Sequence, residues 1–184
     1  MVKFSGWKLS DVIELLGITE VLMVSSVELP DVVVTNASIH HLDDAVTAWQ
    51  SLVFDQNKHD KRLSLTNLSD TQQRQFLRSI ILDRRLIIAI NSESNLVGIA
   101  TIAIDNNMLD KTNSVWNISD VWVETEYRRR GIGIQLVKEC ESQAKSRGAT
   151  EIRLQVYSSN GAASMMYGRL GYHSISRTMS KKFD

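Results

Sequence analysis

Two glycines, Gly131 and Gly133, stand two positions apart behind three consecutive arginines, Arg128, Arg129 and Arg130. Val121-Trp122-Val123 before them is strand-like, and the run after them has helical spacing, so the glycines fall at a strand-to-helix turn. Glycine accepts positive φ and lets a ligand approach the backbone closely. The first amides of a helix have no partner within it, and with the helix dipole they suit a phosphate or pyrophosphate. The chemistry on offer is therefore the holding of an anion. Two plainer readings stand beside it: a tight turn and nothing more, and an arginine run that is a solvated patch.

Familiar phosphate loops fit poorly. A Walker loop needs Gly-x4-Gly-Lys-Ser/Thr, which is absent. The dinucleotide fingerprint needs a third glycine where Leu136 stands, and its acidic residue about 20 positions on would fall near Glu151, at the start of the next strand. Cys140, the only cysteine, lies on the apolar face of the following helix and reads as a buried thiol. His40, His41, His59 and His173 have no metal-ligand spacing, so no metal is expected.

The elements that must position the loop can be read from periodicity. In the 184-residue chain, VVVTNASI reads as a strand and LDDAVTAWQSLVF as a helix through Leu42, Val46, Trp49 and Val53. Asp70 is the expected cap of a helix over TQQRQFLRSIILD. LIIAI, the turn NSESN and VGIATIAI form a hairpin, and VWNISDVWV is the next strand. The helix after the glycines has one apolar face of Ile132, Leu136, Val137, Cys140 and Ala144 and ends at Gly148. EIRLQV is a strand, Asn160 caps GAASMMYGRL, Gly171 turns the chain, and HSISRTMSKKF is a final strand. Hairpins together with helical crossovers predict an α/β (α+β) mixed sheet with helices on its faces. Residues 1–28 read as an N-terminal extension, a helix capped by Ser10 and then a strand, ahead of one domain over 29–184.

Arg128-Arg129-Arg130-Gly131-Ile132-Gly133 resembles the Arg/Gln-x-x-Gly-x-Gly/Ala signature of the GNAT superfamily of N-acetyltransferases. Val121-Trp122-Val123 before the loop, Ser159-Asn160, Ala163, Tyr167 and Leu170-Gly171-Tyr172 fall at family spacing. The likeness is specific over 118–184, rests on element order over 31–117, and does not cover 1–28. It implies a twisted mixed sheet of six to seven strands with a splayed parallel pair that holds the cofactor, acetyl-CoA. Val121, Trp122 and Val123 would meet the pantetheine arm, the amides from Arg129 to Ile134 the pyrophosphate, and Asn160 and Ala163 the far side of the cofactor.

The reaction implied is acetyl transfer to a primary amine of a small molecule or a peptide. Such an amine must first lose a proton, because an alkylammonium titrates near pH ~10 and carries no lone pair. The carbonyl oxygen needs a fixed donor as charge develops on it. The resemblance suggests the Val123 N–H for that donor and Tyr167 as the acid for the leaving thiolate. Packing with Met166 and Leu170 is the competing role for Tyr167. Some relatives carry a glutamate two positions before Val-x-Val, where this chain has Ser119. Asp120 is the candidate base, although strand alternation points it to the opposite face unless a bulge re-aims it. A water chain, or an amine that arrives neutral, would serve as well. Phe54, His59, Asp60 and Arg62 fall where the family often builds its acceptor wall. The missing glutamate keeps a second function open, a non-catalytic acyl-CoA sensor or scaffold. With 21 basic and 21 acidic residues, no apolar run near the ~18 that spans a bilayer and no signal-like start, the expected partners exclude nucleic acid and membrane. The expected location is cytoplasmic, and the family's habit makes a homodimer an open expectation.

Overall fold

A computed structural model describes residues 32–62, 68–105 and 114–181. The extension expected before residue 29, and the boundary there, lie outside these residues. Five strands form one sheet in chain order: β1 (Val32–Asn36), β2 (Leu86–Asn91), β3 (Leu96–Ile104), β4 (Val115–Val123) and β5 (Glu151–Leu154). The first four pair antiparallel and β4 pairs β5 in parallel, so the sheet is mixed as the element order required.

Helices cover both faces. On one lie α1 (Leu42–Gln56) and α2 (Asp70–Leu82), and on the other α3 (Ile132–Ser146) and α4 (Gly161–Arg169). Alternation along the strands supplies each with its own core. Leu86, Ile88, Ile99 and Trp122 pack against Ala45, Leu52 and Leu77, while Ile87, Ala100, Ile102 and Ile118 pack against Ile132, Leu136 and Cys140. The five α3 positions picked out by periodicity are all buried. Among the described residues no helix is long and apolar enough to cross a membrane.

Two expectations need correction. The α2 cap is Ser69, not Asp70: Gln72 N–H donates to the Ser69 hydroxyl at 3.2 Å, and Ser69 N–H donates to the Gln72 side chain at 2.8 Å. This reciprocal capping box satisfies two end amides, whereas Asp70, first in the helix, favours the dipole and pairs with Arg74 at 2.9 Å. The sheet has five strands among the described residues, not six or seven. Residues 173–181 continue without strand structure, and Ile175 and Met179 are 62% and 86% exposed. On the face that Ile175 and Met179 would share, Arg177 stands between them, so that face is not continuously apolar.

The Leu170-Gly171-Tyr172 ending has a clear physical basis. Gly171 takes φ of +93°, its N–H donates to Gly168 C=O at 3.1 Å, and Tyr172 N–H donates to Tyr167 C=O at 3.0 Å. This is a Schellman cap, completed by the edge-to-face contact of Tyr167 and Tyr172 rings at 5.8 Å. Gly171→Ala meets no atom within 4 Å, so its cost is conformational alone. A non-glycine residue in the left-handed region costs about 1 kcal/mol. A fall of roughly 2–4 °C in Tm is expected by thermal denaturation.

Candidate active site

β4 outruns β5. The parallel ladder ends at the Ile118–Leu154 pair, while β4 continues to Val123 and the chain beyond Leu154 turns away toward α4. Val123 faces Gly98 of β3, and the flanking bond from Glu124 N–H to Val97 C=O, 2.9 Å, marks this as a pair without direct hydrogen bonds. Val123 therefore turns its N–H and C=O away from β3, toward the side that β5 has left. The C=O accepts from Arg128 Nε at 2.8 Å.

The glycine loop closes this gap at one end. A 3-10 turn, Thr125–Tyr127, leads to Arg129 at φ +63° and Gly131 at φ +83°, and α3 starts at Ile132. The first helical bond from this end runs from Gln135 N–H to Gly131 C=O at 3.1 Å. The amides of Ile132, Gly133 and Ile134 precede it and have no acceptor within the helix. Gly133 packs close to α4 and β4: an added Cβ would stand 3.2 Å from Met166 Sδ and 3.9 Å from Val123 Cγ2. The arginines divide their work. Arg128 pairs with Asp55 at the end of α1 at 2.5 Å, Arg130 lies 5.5 Å from the Tyr127 ring centroid, and Arg129 is exposed.

Asp120 differs from the plain-strand expectation. Between Ile99 and Thr101 the register slips by one, so Asp120 and Val121 together oppose Ala100. Asp120 takes φ of +53°, the conformation that a bulge of this kind needs and that aspartate tolerates better than most residues. The bulge swings its carboxylate to the α1 face, where Thr101 Oγ1 donates to it at 2.8 Å and the Trp49 side chain is a second partner. Burial pushes its pKa above the usual carboxylate range, and these two hydrogen bonds oppose the shift. Neither Thr101 nor Trp49 carries a sequence signal for this role, since both act only across the folded sheet.

Tyr167 comes from the other face. It is 8% exposed, packed with Ile132 and Cys140, and its phenol is pushed up to about 12, by burial first and by Cys140 second. Asn160 caps its helix, accepting from Ala163 N–H at 3.1 Å. Val121, Val123, Ala163 and Met166 border the same cluster. Tyr167 and Asp120 thus lie on opposite faces of the sheet. Cys140 is fully buried, with its thiol also pushed up to about 12, chiefly by burial, so it is inert packing.

On the α1 face a cavity of about 240 Å³ lies beside the end of β4, lined by Asp44, Thr47, Ser51, Asn95, Trp122 and Glu124 among others. The Trp122 Nε1–H is buried with no partner among the described residues. Of the loop after α1, His59 Nδ1 lies 2.8 Å from Ser159 Oγ, and its ring stacks on Tyr157 at 5.9 Å.

A sequence model described as the Acetyltransferase (GNAT) family matches residues 45–172. Streptothricin acetyltransferase of Streptomyces lavendulae is 30% identical over 94 residues, 49% of this chain and 45% of that protein, so the match spans under half of the relative. A mutant of the BH1408 protein from Bacillus halodurans has a similar fold, with a TM-score of 0.70 at 17% identity over 82% of this chain and 99% of that one. AAC(6')-Iy in complex with the bisubstrate analogue CoA-S-monomethyl-acetylneamine gives 0.65 at 16% identity, over 83% and 98%.

Proposed function

Because the chain belongs to the GNAT family of acetyltransferases, we propose that it moves the acetyl group of acetyl-CoA to a primary amine of a small molecule or peptide. The observation that carries this reading is the free edge of β4, from Val121 to Val123, beside a helix start whose amides α3 itself leaves unbonded. Gly131, at positive φ, places no side chain in front of that helix start, and Gly133 lets it pack close to Met166, a fit for a diphosphate. The cofactor supplies an activated thioester; the chain supplies orientation, a donor and proton traffic.

The residues divide the work as follows. Val123 N–H, fixed on the open edge, points where the carbonyl oxygen gains charge. Asp120 accepts the proton that the ammonium must lose. With acetyl-CoA bound, the amine nitrogen would bond to the acyl carbon as the carbon–sulfur bond breaks; the Tyr167 hydroxyl would give its proton to the departing sulfur, and the second proton that the nitrogen sheds would restore that hydroxyl. Asp44 and Glu124 beside the α1-face cavity favour a cationic acceptor. The neighbour bound to an acetylneamine analogue supports the same class of acceptor. The bulge also weighs against a scaffold without turnover, because it supplies a carboxylate on the α1 face although Ser119 stands where some relatives have glutamate.

Asp120→Asn tests the assignment. A general base contributes about 10²-fold or more, so kcat/KM is expected to fall by roughly that factor at neutral pH. The sign of the pH effect follows from burial. Asp120 must be ionised to act, and its pKa is raised, so wild-type activity should decline on acidification above the ordinary carboxylate range. The variant should lack that acidic limb. A thiol-release assay over a panel of amines checks both. An unchanged acidic limb removes Asp120 from the mechanism, and coenzyme A binding without turnover of any amine favours the sensor reading.

A further inference from the structure

The turn that ends α1 touches both banks of the β4–β5 gap. On the β4 bank, Asp55 accepts from Arg128 at 2.5 Å, across 73 residues of sequence, and the same guanidinium holds Val123 C=O at 2.8 Å. Lys58 pairs with the other Asp55 oxygen at 2.5 Å, and together the two cations hold the Asp55 carboxyl below its usual range against the opposing effect of burial. On the β5 bank, His59 meets Ser159 at 2.8 Å, across 100 residues, and stacks on Tyr157. Ser159 directly precedes Asn160, the cap of the helix that carries Tyr167. Phe54 in this turn is 72% exposed, so the turn is not held there by burial of its apolar residue.

We propose that residues 55–59 form a clasp that sets the width of the β4–β5 gap, with Asp55 and His59 as positioning residues for the transfer. The inference rests on the reading of that gap as the coenzyme site. Asp55 works through Arg128 on the Val123 peptide, and His59 works through Ser159 on the start of α4. The two arms act in series: releasing either one lets the banks part.

The sign of one substitution separates this from direct electrostatics. Were Asp55 merely a negative charge near the diphosphate, Asp55→Asn would tighten coenzyme A by removing repulsion and freeing Arg128. The clasp requires the opposite, a loss of about fivefold in affinity. His59→Ala and Ser159→Ala, which cut one contact from its two sides, should each give a similar loss, and their double variant no more than either. Asp55→Asn with His59→Ala should also lose no more than the worse single change, because the arms are in series. Asp55→Glu, which keeps the ion pair, should recover most of the affinity. His59 and Ser159 are exposed and Asp55 is only half-buried, so thermal unfolding should stay near wild type.

Calorimetric titration with coenzyme A, paired with KM for acetyl-CoA in the thiol-release assay, reads every arm. Weakened binding with a raised KM, non-additive between arms, supports the clasp. If wild type binds while Asp55→Asn binds as well or better, or if the losses multiply, the clasp is overturned and the coenzyme site stands. If wild type gives neither heat with coenzyme A nor thiol release, the site reading fails and the clasp falls with it.

Discussion

Gly131→Asp is expected to lower coenzyme A affinity by more than about 100-fold, as read by calorimetry, in a protein that still folds. Gly131 sits at φ +83° as the cap of α3, in front of amides that the helix leaves without acceptors. Aspartate is among the residues that tolerate this backbone region, so the fold should survive at a cost of about 1 kcal/mol. Its carboxylate, however, can accept those amides itself, as a helix-capping side chain does. It would then fill the diphosphate place with a like charge. Gly131→Asn separates the two effects, since it makes the same backbone demand without the charge. It should bind at least tenfold more tightly than the aspartate variant. Equal affinities for wild type and Gly131→Asp would move the diphosphate away from this loop.

Tyr167→Phe is expected to cut kcat by about 10²-fold with little change in KM for acetyl-CoA. A loss confined to kcat marks an interaction made only at the transition state. The ring stays buried against Ile132 and Cys140 after the change, so packing is retained and Tm should hold. The phenol is pushed up to about 12, so it remains a proton donor well above neutral pH. Wild-type kcat should therefore show no alkaline fall attributable to this group up to pH ~10. A phenylalanine variant with wild-type kcat would reduce Tyr167 to a packing residue and leave thiolate protonation to water.

The order of elements, the buried face of α3, the Asn160 cap and the Gly171 ending all correspond to local patterns. Ile132, Leu136, Val137, Cys140 and Ala144 could be picked out because a helix repeats every 3.6 residues, and Asn160 because a capping side chain answers an amide three residues on. Gly131 and Gly171 could be read for a similar reason, since each answers a demand of its own backbone. The choice of Ser69 over Asp70 lay only one residue from the expected cap, because both types accept amide hydrogens and the reciprocal bond to Gln72 decides between them.

What depended on distant partners could not be read this way. Alternation sends Asp120 to the wrong face, because a bulge is a property of two strands: it exists only when β4 pairs with β3 one residue out of step. The run from His173 to Lys181 looks like a strand by composition, yet a strand needs a neighbour to bond, and among the described residues none takes it. Arg128 is marked by the loop signature, but nothing local names Asp55, which comes to it from 73 residues away. By itself, then, the sequence determined the elements from β1 to α4 and the loop that caps α3, since both follow from forces within one turn or one strand. The face that Asp120 occupies and the partner of Arg128 were decided only by tertiary structure, because each depends on contacts between segments far apart in the chain.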